Sequence, residues 1–248
     1  MLSWLRALFN AFVLPSWTAL SVTAGLITGF VTRDPFLFYR WQRGWGRGLY
    51  RLCGIELEIQ GAEHMDPNGA YVIVANHASY MDIPALFGSL PKLPQFMAKS
   101  ELAKIPFLGA ALRAGRHVLV HRGNHGTARG ALDSAAEHLK TGAAILIFPE
   151  GTRATRDEIG RFKTGAFRLA KLGEVAILPV GITGTRYVLP KHGRVIHAKR
   201  VAVHIGAPIP ASDVRDLPLQ ELSERVRSTL GALSGLPLAG DVETAAAE

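Results

Sequence analysis

Tyr71-Val72-Ile73-Val74-Ala75-Asn76-His77-Ala78-Ser79-Tyr80-Met81-Asp82 is the stretch that decides the fold. Its first five residues are an unbroken apolar run rich in β-branched side chains, the pattern of a strand covered on both faces. Ala144-Ile145-Leu146-Ile147-Phe148 and Val175-Ala176-Ile177-Leu178 have the same character. Ile55-Glu56-Leu57-Glu58-Ile59 alternates strictly and predicts a half-exposed strand; His117-Val118-Leu119-Val120 and Val201-Ala202-Val203-His204-Ile205 complete the set. Between them, residues 83–90, 126–140 and 165–172 are helical candidates. Leu219, Leu222, Val226, Leu230 and Leu233 recur at helical spacing. Strands alternating with helices predict an α/β fold, a mostly parallel central sheet flanked by helices.

In such folds reactive side chains gather at the carboxyl ends of strands. His77 stands at the exit of the 71–75 run, five residues before Asp82. Five is not a same-face spacing on a regular helix. The two meet only if His77 lies in the turn and Asp82 in the helix that begins there. A carboxylate on one ring nitrogen then fixes the tautomer and leaves the other nitrogen free to take a proton. The competing reading is a capping histidine with Asp82 on a solvated helix. Phe148-Pro149-Glu150-Gly151-Thr152-Arg153 leaves a second buried strand in the same way. Gly151 permits close backbone approach, and Arg153 can hold a phosphate through two parallel hydrogen bonds. Lys163 and the helix start at Thr164-Gly165 add a cation and an anion-binding amino terminus. The plainer alternative is a strand-loop-helix connection with a surface arginine. Glu150 would repel a phosphate, so it is better suited to orienting a base or a hydroxyl.

Outward from this core, residues 1–50 differ from the rest. No charged side chain occurs between Arg6 and Arg33. Pro15 divides this apolar stretch, so it reads either as one tilted span kinked near Pro15 or as a pair of helices dipping into one leaflet. A cleaved leader fits less well, because a single basic residue precedes the apolar run and no small-x-small cleavage site is evident. Arg33, Arg40, Arg43, Arg47 and Arg51 then alternate with Phe36, Phe38, Tyr39, Trp41, Trp45 and Tyr50, a mixture suited to anionic headgroups and the membrane interface. The expected organisation is a membrane-anchoring segment at 1–50, an α/β domain at 51–236 and a flexible tail at 237–248. The positive-inside tendency places the domain on the cytoplasmic face of an inner membrane.

The chain of 248 residues carries 28 basic and 20 acidic residues, a net charge of +8, which favours an anionic partner. Nucleic acid, a phospholipid surface and a phosphorylated substrate all qualify, but the neighbouring apolar segment favours lipid over nucleic acid. Cys53 is the single cysteine, which excludes an internal disulfide and a cysteine-rich zinc site. The remaining histidines do not cluster at metal-ligand spacing, so no metal is expected.

Together the two loops resemble the glycerolipid acyltransferases. Asn76-His77 through Asp82 is similar to that family's His-x-x-x-x-Asp block, and Phe148 to Arg153 to its Phe-Pro-Glu-Gly-Thr-Arg block. Ile177-Leu178-Pro179-Val180 resembles the later apolar-proline block. Lys99, Ile105-Pro106-Phe107-Leu108-Gly109 and the 115–122 strand resemble the intervening one. The likeness extends over roughly residues 55–210 and is greatest to bacterial 1-acyl-sn-glycerol-3-phosphate acyltransferases. Ala154 departs from a common serine, and Val118-Leu119-Val120-His121-Arg122 is a loose version of the middle block. The resemblance implies catalysis by His77 and Asp82, with substrate held by Glu150, Gly151, Thr152, Arg153, Lys99 and Arg122. It also implies lysophosphatidic acid as acceptor, acyl-CoA or acyl-carrier protein as donor, membrane phospholipids as surroundings, and no cofactor. Another lysolipid acceptor, such as lyso-ornithine lipid, is the alternative.

Overall fold

In the computed structural model, which describes residues 2–32, 35–120 and 125–240, the chain begins with two long helices, α1 (Leu2–Thr32) and α2 (Pro35–Leu52). The α1 helix runs through Pro15 without interruption, so the apolar stretch is not divided there into two helices. Its Phe12–Thr32 portion, 21 residues of mean hydropathy 1.3, is long and apolar enough to cross a bilayer. Only 17% of that apolar window is buried within the fold, and Phe12, Leu20, Ile27, Phe30 and Val31 face outward. The other side of α1 packs on α2 through a reciprocal tryptophan contact. Trp17 Nε1 donates to Trp45 O, and Trp45 Nε1 donates to Thr18 Oγ1, each at 3.0 Å.

The α/β portion follows as β1 (Glu56–Gln60), β2 (Tyr71–Ala75), α3 (Asp82–Ser89), β3 (Gln95–Lys99), α4 (Leu108–Ala114), β4 (Val118–Val120), α5 (His125–Lys140), β5 (Ala144–Ile147), α6 (Gly165–Gly173), β6 (Ala176–Thr183), α7 (Thr185–Val188), β7 (Arg200–Ile205), α8 (Ala211–Asp216) and α9 (Leu219–Ser234). The strands form one seven-stranded sheet in the order β1-β7-β6-β2-β5-β3-β4. Every adjacent pair is parallel except β6 and β7. Central β2 shows why its sequence is apolar at every position. Tyr71, Ile73 and Ala75 enter the core shared with Leu49, Tyr50 and Leu86, on the α2 and α3 side. Val72 and Val74 enter the core built on Ala135, Phe167, Leu169 and Val226, on the α5, α6 and α9 side. The sequence pattern misses β3, whose Gln95 and Lys99 ends give it no continuous apolar run. It also ends β6 too early. Pro179 lies just before the β6–β7 ladder starts at Val180, so its missing N–H does not break that pairing.

Three expectations about the chain ends change. Arg43 and Arg47 do not reach for headgroups. Arg43 Nη2 donates to Leu90 O at 2.8 Å and to Pro91 O at 2.6 Å, and Arg47 Nε donates to Gly88 O at 2.9 Å. These are carbonyls at the C-terminal end of α3, which has no intrahelical donors left for them. Arg40 and Arg51 are exposed, whereas Arg33 lies outside the described residues. Because Leu49 and Tyr50 join the main core, the boundary expected at residues 50–51 crosses a packed interface. At the other end, Ile159 N–H donates to Pro237 O and Ala239 N–H to Ile159 O, both at 2.9 Å. The tail therefore stays pinned through Ala239 rather than loosening at Pro237, and residues 241–248 lie outside the described residues.

Arg43→Ala should accordingly lower stability by about 1–3 kcal/mol, because the carbonyls of two half-buried hydrogen bonds lose a charged donor. Arg40→Ala, at an exposed position of the same helix, should stay within about 0.5 kcal/mol. Thermal denaturation of the two variants checks the difference. Equal, small effects would return Arg43 to the lipid surface.

Candidate functional site

Strands β2 and β5 are adjacent and parallel, so the loops leaving them emerge side by side at one edge of the sheet. Asn76 anchors the first loop. Its side-chain Nδ2 donates to Ile182 O at 2.8 Å, and its Oδ1 accepts the Ile182 N–H at 2.7 Å. His77 follows in the turn and Asp82 opens α3, the placement that a spacing of five requires. His77 Nδ1 lies 2.7 Å from Asp82 Oδ2. The same oxygen accepts the Ala78 and Ser79 N–H groups, each at 2.9 Å. Asp82 is fully buried at the amino terminus of a helix, a position that favours negative charge. With three donors already on Asp82 Oδ2, the carboxylate is fixed, and it holds the imidazole with Nδ1 protonated and Nε2 unprotonated. The His77 ring stacks on Phe148, with centroids 4.0 Å apart and planes inclined by 13°.

The two loops are joined on both sides of His77. The His77 N–H donates to Glu150 Oε1 at 2.9 Å, and His77 O accepts the Ala154 N–H at 2.7 Å. Glu150 Oε2 receives the Gly160 N–H at 3.4 Å. Burial pushes the Glu150 carboxyl above its ordinary 4.5, against the opposing pull of these two N–H groups and of His77. Glu150 therefore acts on the backbone of His77, the place of a positioning residue. The departure at Ala154 is harmless for the same reason, since it is the main chain of that residue that is used. Gly151 sits at φ 71°, in the left-handed region, and a Cβ there would lie 2.9 Å from Lys163 Nζ. The backbone conformation favours glycine, whereas the lysine end could move aside from a Cβ.

Arg153 lies over the Tyr80 ring, its Cζ 3.7 Å from the centroid, and its Nη1 is buried with no hydrogen-bond partner. Lys191 was not singled out from sequence. It comes from the segment after α7, with Nζ 2.8 Å from Arg153 O and 3.3 Å from Thr152 Oγ1. No motif marks it, and only the fold brings it to this edge. Lys99 ends β3 at the same edge of the sheet, but its side chain lies outside the described residues, as does the whole of Arg122. Among the described residues no group of three or more His, Cys, Asp or Glu side chains gathers to hold a metal ion.

His77, Tyr80, Arg153 and Lys191 line the polar end of a cavity of about 940 Å³. Its remaining wall is largely apolar. Phe87, Phe96 and Leu146 come from the α/β domain, and Val22, Phe38 and Trp41 from α1 and α2. The amino-terminal helices therefore complete the cavity as well as presenting an exposed apolar surface. His117 stands in the same wall and accepts the Phe96 N–H at Nδ1, 2.8 Å away. Burial pulls its pKa down from 6.5 to about 4. Unfolded chain takes up this proton near 6.5 and the folded chain resists it, so the contribution is full above 6.5 and is lost as pH falls toward 4. A shift of this size corresponds to about 3 kcal/mol. His117→Gln keeps an acceptor for Phe96 and does not titrate. Denaturant midpoints at pH 7 and pH 4.5 should converge for that variant relative to the parent chain.

A family model described as Acyltransferase matches residues 56–183. Over 221 residues the chain is 31% identical to a 1-acyl-sn-glycerol-3-phosphate acyltransferase of Pseudomonas aeruginosa, a match covering 88% of this chain and 83% of that protein. Over 180 residues it is 31% identical to the Bos taurus 1-acyl-sn-glycerol-3-phosphate acyltransferase alpha, covering 72% of this chain. That match spans 63% of the bovine protein's length. The crystal structure of the 1-acyl-sn-glycerophosphate acyltransferase PlsC from Thermotoga maritima is similar with a TM-score of 0.84 and 26% identity over 93% of both chains.

Proposed function

The chain belongs to the 1-acyl-sn-glycerol-3-phosphate acyltransferase family, and from that premise we propose that it transfers a fatty acyl group to the sn-2 hydroxyl of lysophosphatidic acid, giving phosphatidic acid. The observation that supports this best is one arrangement: the His77–Asp82 pair at the polar end of a large apolar cavity, beside the unpartnered guanidinium nitrogen of Arg153. His77 Nε2 removes the acceptor proton while Nδ1–H stays on Asp82. The alkoxide oxygen attacks the thioester carbonyl of acyl-CoA or acyl-carrier protein, forming the new C–O bond. The tetrahedral adduct collapses with loss of the C–S bond, and the departing thiolate takes the proton from the imidazolium. Nothing in this sequence requires an acyl-enzyme, a metal or a cofactor. The N–H groups of Ala78, Ser79, Gly151 and Ala154 already have acceptors, so donors to the oxyanion come from other groups at this edge.

The acceptor phosphate is assigned to Arg153, with Lys191 and Lys163 as neighbouring cations and Thr152 and Gly151 at the same turn. The acyl chain of the donor is assigned to the apolar cavity. Membrane attachment through α1 suits this chemistry, since drawing an acyl chain into water costs about 0.8 kcal/mol per CH₂. The exposed Arg40 and Arg51 beside the apolar helix support a reading in which the domain lies on the cytoplasmic face of the inner membrane. An acyl-transfer assay crossing acyl-CoA and acyl-carrier-protein donors with several lysolipids tests the whole reading. Lysophosphatidic acid should be the preferred acceptor. Transfer to lyso-ornithine lipid but not to lysophosphatidic acid would replace it.

A further inference from the structure

The cavity wall is not uniformly apolar. Ser21 on α1, Gln42 on α2 and His117 beside β4 all face it, and each is at least nine-tenths buried. Ser21 Oγ has no hydrogen-bond partner, and neither does Gln42 Oε1. His117 accepts the Phe96 N–H at Nδ1, so its ring proton is on Nε2, which faces Gln42 Nε2 at 3.4 Å. With the amide in this orientation a donor meets a donor and Oε1 is left over. Turned by half a rotation, Oε1 receives the His117 proton and the NH₂ is left over. Either way one end of the Gln42 amide and the Ser21 hydroxyl have no hydrogen-bond partner within the protein, in a largely apolar cavity where an unpaired polar group is unfavourable. A Cβ on Gly115 would lie 2.6 Å from His117 Nε2 and 3.0 Å from Gln42 Nε2, so glycine keeps this corner open.

The corner lies far from the reacting atoms. Phe96 pairs with Leu146, which pairs with Ile73, two strands across the sheet and four residues before His77. Strand spacing and rise make these offsets about 10 Å and about 13 Å, roughly 16 Å together. An extended hydrocarbon of about a dozen carbons covers that distance.

Resting on the acyl-transfer reading of this cavity, we propose that Ser21, Gln42 and His117 form a polar subsite that binds a hydroxyl group carried on the distal half of the acyl chain. A hydroxyl both donates and accepts, so it satisfies Gln42 in either orientation together with Ser21. A keto or ether oxygen only accepts. An unsubstituted chain passing this corner leaves the polar groups unpaired or traps water beside them.

The test uses the full-length chain in detergent, lysophosphatidic acid as acceptor, and palmitoyl-CoA either unsubstituted or hydroxylated at successive carbons. The relative kcat/KM should peak about tenfold above the unsubstituted chain with the hydroxyl at roughly carbons 10 to 14. Ser21→Ala and Gln42→Leu should each flatten the peak. Because the readout is a ratio within one preparation, partial loss of folded protein does not disturb it. A flat profile in the parent chain, with the unsubstituted donor still transferred, would mean that the corner holds a structural water only; this overturns the subsite and leaves the acyl-transfer reading intact. A peak that survives in both variants also overturns it. Absence of transfer from any donor would defeat the acyl-transfer reading itself, and the subsite with it.

Discussion

Replacing His77 with alanine is expected to reduce acyl transfer about a thousandfold, at the centre of the range for loss of a positioned general base. The fold should survive, because Asn76 and the loop contacts through the His77 main chain do not depend on the ring. His77→Gln is the sharper control, since an amide can donate to Asp82 but cannot take the acceptor proton. Asp82→Asn separates charge from geometry. Asp82 uses one oxygen for all three of its donors, and its Oδ1 has no partner. An asparagine can present its carbonyl oxygen at the same point and keep the three bonds. What it loses is the negative charge that stabilises the imidazolium. Asp82→Asn should therefore cost about a hundredfold or more in kcat with a small change in melting temperature. Asp82→Ala, by contrast, strands the Ala78 and Ser79 N–H groups and should cost about 2 kcal/mol or more of stability as well. Steady-state kinetics and thermal denaturation of the four His77 and Asp82 variants decide this. If His77→Gln kept transfer within tenfold of the parent chain, the base would have to be sought elsewhere.

How far the sequence revealed this arrangement depended on the kind of signal each part carries. A strand buried on both faces leaves an unbroken apolar run, so β2 and β5 were visible, and with them the two loops that hold the site. The short segment from His77 to Asp82 encodes its own geometry, because a pair five apart meets only across a turn into a helix. Glu150 shows where residue type stops short. An acid beside a phosphate-suited loop reads as an orienting group, but its partner is a backbone N–H of the neighbouring loop, a pairing between positions 73 residues apart that no local pattern contains. Arg43 and Arg47 mislead outright. Arginines beside an apolar helix look like lipid contacts until α3 is placed under them with its terminal carbonyls exposed. Lys191 and the corner formed by Ser21, Gln42 and His117 are the extreme case. They are assembled by tertiary packing from segments without mutual periodicity, so only the folded chain brings them together.

Arg153→Ala is expected to raise the KM for lysophosphatidic acid at least tenfold, because a charge-assisted hydrogen bond to phosphate contributes about 1.5–3 kcal/mol. Arg153→Lys should recover little. The side chain works as a flat fork stacked on Tyr80 with a buried, unpartnered Nη1, and a lysine ammonium can reproduce neither the stacking nor the two parallel donors. Tyr80→Ala should act in the same direction but only a few-fold, the size of a cation–π contact that holds the guanidinium in place. The decisive comparison is an acceptor of the same chain length that lacks the phosphate, such as a monoacylglycerol. If Arg153 binds the phosphate, poor transfer to that acceptor is unaffected by Arg153→Ala, while transfer to lysophosphatidic acid falls toward it. If Arg153 instead supports the loop that carries Glu150, both acceptors decline together, because displacing Glu150 disturbs the His77 backbone whichever hydroxyl is presented. Equal losses on the two acceptors would therefore remove Arg153 from substrate recognition and leave Lys191 and Lys163 as the cations for the phosphate.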